Sequence, residues 1–171
     1  MKVFGVLLLV LVLAAGVFVY ADGAHMPVNH IVSVTGVVAA PQAKVFSLIT
    51  NVAHGADWRP GVKSVSTLTP DNGRDHWVEH LAHGQYMTFL ATRTDAPTRR
   101  DVTRDDPRAS YGGTWTYELS PGPSPNTTTL RITEAGFINP PIYRFVMARV
   151  IGPTHNLDQY MRDIQAAATK L

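Results

Sequence analysis

The 171-residue chain has no cysteine, which removes a thiolate nucleophile and leaves the redox compartment open in either direction. No serine sits in a Gly-x-Ser-x-Gly elbow, and the glycine loops that cradle phosphate in Walker or dinucleotide sites are missing too. Charge of one sign is equally scarce. The formal net charge is +2, and Arg93, Arg99, Arg100, Arg104 and Arg108 alternate with Asp95, Asp101, Asp105 and Asp106. A nucleic-acid surface requires a one-signed basic patch, so this pattern reads as solvated strand faces and turns, with no nucleic-acid partner. No internal repeat or extended low-complexity segment is present.

What the chain does have is a single uncharged apolar run, Val3 to Tyr20, after which the polar sequence begins at once. About 18 helical residues rising about 1.5 Å each reach roughly 27 Å, close to the hydrocarbon thickness of a bilayer. The run is longer than the core of a secretory signal, which spans about 7–15 residues, and this favours an uncleaved anchor over residues 1–21. The competing reading is a signal peptide cut after Val19-Tyr20-Ala21, which would make the protein secreted. Lys2 precedes the run while Asp22 and His25 follow it. Because basic flanks stay cytoplasmic, the predicted topology is single-pass, with the C-terminal domain on the non-cytoplasmic side.

After a linker over residues 22–29, about 150 residues remain, enough for one domain with a hydrophobic core. His30 to Val38 alternates Ile31, Ser33 and Thr35 against Val32, Val34 and Gly36, as a strand does. Pro41 suits the first turn of a helix with Val45, Leu48 and Ile49 on one face, and a second short helix is expected from Asn51 as cap to about Gly55. Trp58-Arg59-Pro60-Gly61 then turns the chain. Six extended stretches follow, Val62–Leu68, His76–Leu81, Tyr86–Thr94, Arg99–Arg104, Thr114–Leu119 and Thr128–Gly136, mostly separated by turn clusters that suggest an antiparallel meander. Asn139 is expected to cap a helix that opens with Pro140 and Pro141, Gly152-Pro153 to break it, and Leu157, Tyr160, Met161, Ile164, Ala167, Ala168 and Leu171 to form one stripe of a last helix.

That order fits an α+β helix-grip architecture, a curved antiparallel sheet around a long C-terminal helix. A twisted sheet cannot lie flush on a straight rod, and the gap becomes a cavity. Val34-Thr35-Gly36-Val37-Val38-Ala39-Ala40-Pro41-Gln42-Ala43-Lys44-Val45-Phe46 with Trp58-Arg59-Pro60-Gly61-Val62, then Gly113-Thr114-Trp115-Thr116-Tyr117-Glu118-Leu119, Leu130-Arg131-Ile132-Thr133-Glu134-Ala135-Gly136 and Asn139-Pro140, resembles the START-like, SRPBCC (polyketide cyclase/dehydrase and lipid transport) superfamily, in particular its membrane-anchored members. The resemblance spans residues 30–171. It implies the helix-grip fold and a hydrophobic ligand, without fixing one activity. Asn51 stands where many relatives have an aspartate after the first helix.

Among seven histidines, His76, His80 and His83 raise the question of a metal. On a strand, four residues at about 3.3 Å each hold His76 and His80 roughly 13 Å apart, too far for ligands that sit about 2 Å from zinc, so neither a metal nor any other cofactor is expected. Ligand contacts are expected from Trp77, Tyr86, Phe89, Trp115, Tyr117, Ile132, Glu134, Phe145, Tyr160 and Met161, large apolar groups with a few polar tips. Glu134 shares a face with Leu130 and Ile132, and Glu79 with Trp77, so both carboxylates are candidates for acid-base catalysis. The plainer reading places both glutamates at the sheet rim or against arginines such as Arg144. The leading expectation is a membrane-tethered module that binds a hydrophobic small molecule or lipid without covalent chemistry. The alternatives are a cyclase or dehydratase using Glu134 or Glu79 with a tyrosine, and an adaptor with a filled core. Asn126-Thr127-Thr128 also matches a glycosylation acceptor in an expected hairpin loop.

Overall fold

The computed structural model describes residues 2–170. Leu171, placed above on the last helical stripe, and the side chain of Lys2, on which the topology rests, lie outside the described residues. Helix α1 (Lys2–His25) runs past the apolar segment and takes in the first half of the expected linker. Strand β1 (Asn29–Val38), helix α2 (Gln42–Thr50) and the short helix α3 (Gly55–Trp58) follow. The chain then makes β2 (Val62–Thr67), β3 (His76–Leu81), β4 (Tyr86–Asp95), β5 (Arg99–Arg104), β6 (Tyr111–Pro121) and β7 (Thr128–Ile138). Helix α4 (Pro141–Phe145) continues into a wider π-turn segment (Val146–Ile151), and α5 (His155–Ala168) closes the fold.

All seven strands form one antiparallel sheet in the order β1-β7-β6-β5-β4-β3-β2. Register shifts between Val62 and Ser64 and between Ala91 and Arg93 add local twist on β2 and β4. The alternation expected of β1 is present, with Val32, Val34 and Val38 turned inward and Ile31, Ser33 and Thr35 outward. On α5, Leu157, Met161, Ile164, Ala167 and Ala168 are buried. The rod lies closest to β1. There Gly36 leaves the space a side chain would fill: a Cβ would stand 2.8 Å from Met161 Sδ.

Local signals were weaker than periodic ones. The second short helix does not end at Gly55: a 3-10 turn over Val52–His54 leads into α3, and Asn51 makes no side-chain cap. Asn139 does not cap α4 either, because its N–H donates to the Ser110 carbonyl and Pro140 occupies the cap position. Pro41 precedes α2 in an extended conformation instead of entering its first turn.

Helix α1 is joined to the domain at its C-terminal end. Phe18 meets Phe145 edge to face at 6.1 Å between ring centres. Gly23 lies against the backbone of Pro141, where any side chain would collide with the carbonyl. Arg144 Nε donates to the Gly23 carbonyl at 2.8 Å, and Arg149 Nε to Asp22 at 3.2 Å. Most large apolar side chains along Val3–Tyr20 are exposed, and among the described residues α1 alone is long and apolar enough to cross a membrane. Length and composition of this kind suit either a transmembrane anchor or a signal sequence.

Candidate functional site

Between the inner sheet face and α5 lies a cavity of about 1130 Å³. Strand pairing explains its lining. Trp77 stands opposite Phe89, Val102 opposite Trp115, Trp115 opposite Glu134, and Tyr117 opposite Ile132, so each row across the sheet delivers large groups to the same face. Trp77 and Phe89 stack at 5.6 Å, and Phe89 meets Trp115 edge to face at 5.8 Å. From the helical side come Leu48, Trp58, Tyr160 and the π-turn residues Val146 and Met147. All three tryptophans of the chain therefore line one hollow.

One end of this apolar space is polar. Arg59, at the turn after α3, pairs with Glu79, and the Trp77 indole N–H donates to the same carboxylate oxygen at 3.3 Å. The Arg59 guanidinium also lies 4.9 Å from the centre of the Tyr160 ring. Tyr117 and Tyr160 have ring centres 5.6 Å apart. Burial, reinforced by the neighbouring Tyr160 phenol, pushes the Tyr117 phenol well above its ordinary range, and burial likewise raises Tyr160 against the opposing effect of Arg59. Burial alone would lower the Arg59 guanidinium, but Tyr160 and Glu79 hold it above its usual value. The Trp58 indole N–H is buried and has no acceptor among the described residues.

A second polar spot sits on the inner face of β7. Glu134 Oε1 lies 3.3 Å from His30 Nε2, and both residues line the cavity. Gly136 leaves room for this contact, since a Cβ there would press on both side chains.

The raised phenols make alkaline stability a test of this interior. Below the ordinary phenol value, about 10, both states keep their protons and the contribution is fully present. As pH rises further, only unfolded tyrosines release theirs, so stability falls through the raised folded values. Tyr117→Phe is expected to flatten that decline relative to the parent chain, measured by denaturant midpoints at about pH 8 and about pH 11.

Of the residues expected to meet a ligand, Trp77, Phe89, Trp115, Tyr117, Ile132, Glu134 and Tyr160 line the cavity. Three do not. Tyr86 lies on the outer face of β4, 66% exposed, because alternation turns Met87 and Phe89 inward. Phe145 is taken up by Phe18 of α1, and Met161 by its contact with Gly36 in the core. Neither glutamate pairs with Arg144, whose guanidinium donates to the Gly23, Ile138 and Asn139 carbonyls. His76 lies 3.0 Å from Asp105, His80 Nε2 3.0 Å from the Ser66 hydroxyl, and His83 in a turn, so the three do not converge. Arg59 and His30 line the cavity as well, outside the expected set. His30 had a signal, since it shares the inner face of β1 with Val32 and Val34; Arg59, in a turn motif, had none.

A curved sheet closed over a terminal helix around an apolar hollow defines a ligand-cavity protein of helix-grip type. The chain belongs to the polyketide cyclase / dehydrase and lipid transport family, which matches residues 29–161. Solved structures agree on the fold at low identity. A START superfamily protein from Mycobacterium smegmatis is 16% identical with a TM-score of 0.63, covering 82% of this chain and 98% of its own. The Zhui aromatase/cyclase from Streptomyces sp. R1128 is 18% identical at 0.66, covering 83% and 94%. Truncated norcoclaurine synthase from Thalictrum flavum is 13% identical at 0.63, covering 82% and 93%. None of the curated proteins matches this chain.

Proposed function

We propose that this protein is a membrane-anchored binding module that holds a hydrophobic small molecule or lipid between sheet and helix, with α1 retained and the domain on the non-cytoplasmic side. The observation that carries this reading is the roughly 1130 Å³ hollow lined by Trp58, Trp77, Trp115, Phe89 and Ile132. Its size and apolar walls suit a ligand larger than a single ring, since small-molecule cavities run about 300–1,000 Å³. The polar end selects for an amphipathic guest. Arg59 offers donors to an acceptor group, while the aromatic ladder takes the apolar body. The superfamily resemblance and the family's lipid-transport members point the same way.

Full-length protein extracted in native lipid discs, then analysed by mass spectrometry, is the direct test. One lipid or apolar small molecule is expected at near-stoichiometric level and enriched over the bulk lipid. A bound fraction that merely mirrors the bulk lipid would overturn the reading.

The second reading, a cyclase or dehydratase, is favoured by one feature, the Glu134–His30 pair inside the cavity. Glu79 fits the role less well, because Arg59 and Trp77 already donate to it. If that chemistry operates, Glu134→Gln would abolish turnover while leaving ligand affinity intact; equal losses of both would indicate binding or folding.

A further inference from the structure

We propose that residues 141–151 form a lid lying in the bilayer interface beside α1, so that the cavity opens onto lipid instead of water. The inference rests on α1 being retained as an anchor, and adds a specific partner surface to it.

The depth of the lid follows from where it is fastened. Tyr20 ends the apolar run, so in an inserted helix it marks the membrane surface. Phe18 lies two residues deeper, about 3 Å at 1.5 Å rise per residue, and its ring is packed on Phe145 of α4. The Gly23 contact with Pro141 and the Arg144 bond to the Gly23 carbonyl hold α4 against α1. A segment fastened to the last apolar turn of a spanning helix must itself reach interfacial depth.

The chemistry of the segment matches that position. Ile142, Tyr143, Val150 and Ile151 are 50%, 55%, 69% and 44% exposed, four large groups turned outward on one short stretch. Residues 140–152 contain no acid, and their only charges are Arg144 and Arg149. With Arg144 turned inward, the outward apolar groups together with Tyr143 and the exposed Arg149 describe a segment that rests in the headgroup region. The same stretch forms the cavity mouth, since Tyr143, Val146, Met147 and Ile151 line it together with Met26 and Val28 just after α1. An apolar ligand could thus pass between bilayer and hollow without crossing water.

Because the chain has no cysteine, single cysteines can be placed without background. Full-length Ile142→Cys, Val150→Cys, Val10→Cys and Tyr86→Cys, each spin-labelled and reconstituted in phosphatidylcholine/phosphatidylglycerol vesicles, are compared for accessibility to oxygen and to a water-soluble nickel chelate. Labels at 142 and 150 are expected to shift with the Val10 label, toward oxygen and away from nickel, while the Tyr86 label stays open to nickel. If 142 and 150 report water while Val10 reports lipid, the lid proposal fails and the anchor stands. If Val10 also reports water, both fail. Labels at 142 and 150 closed to both reagents and broadened by a neighbouring label would show a contact between copies of the chain, and would overturn the proposal as well.

Discussion

Arg59→Met is expected to destabilise the folded chain by about 3–5 kcal/mol, the usual effect of removing one partner from a buried ion pair. The Glu79 side chain is 7% exposed and that of Arg59 22%. Without the guanidinium, the carboxylate is left among Trp77, Tyr117 and Tyr160 with one indole N–H for company. For a domain of this size each kcal/mol corresponds to about 2–4 °C in Tm, so the melting temperature should fall by at least several degrees. The double variant Arg59→Met with Glu79→Leu should recover most of the loss, since replacing both partners by apolar groups is often close to neutral. Asp57→Ala, which breaks only the exposed contact with His54, should leave Tm in place. Thermal unfolding of the full chain followed by tryptophan emission measures all three. The double variant has a functional use too, because it keeps the hollow while deleting its polar end.

The second large effect concerns the seam between α1 and the domain. Arg144 is buried, and its guanidinium gathers the carbonyls of Gly23, Ile138 and Asn139, which come from α1, the end of β7 and the loop before α4. Arg144→Met preserves much of the apolar stem but removes a donor from all three, leaving Gly23 only the Met26 N–H at 3.3 Å, at about 1–3 kcal/mol for each acceptor left unpaired where water cannot reach. The expected result is a comparable loss of stability together with faster proteolysis between His25 and Asn29, where α1 hands the chain to β1. Arg149→Met is the matched comparison. Its 60% exposed side chain makes only a surface pair with Asp22, and it should change neither quantity measurably.

Period-two patterning carried much of the site. Trp77 with Glu79, Trp115 with Tyr117, and Ile132 with Glu134 are each two residues apart on a strand, and each pair turns the same way into the cavity. The same rule sets Tyr86, three residues from Phe89, on the opposite face of β4, and that face is the outer one. Helical residues were harder to place. A stripe on α5 announces that Tyr160 and Met161 are buried, but only the close seating at Gly36 decides that one borders the hollow and the other fills the core. Arg59 was hidden because a turn has no period, and its partner is 20 residues away in sequence. The seam at α1 was hidden for a related reason. A helix that is apolar on every side presents no preferred face, and Gly23, where it docks, is not distinguished in the sequence from Gly5 and Gly16, which touch nothing.

The account turns on whether a guest occupies the hollow, and the tryptophans answer that directly, since Trp58, Trp77 and Trp115 all border it and the chain has no others. A brominated fatty acid, whose heavy atoms quench indoles at close range, is titrated into full-length protein held in discs of unbrominated lipid. Saturable quenching is the result expected of a bounded site, with the Arg59→Met/Glu79→Leu variant saturating at higher probe concentration. Quenching that climbs in proportion to the probe and never levels off would contradict it.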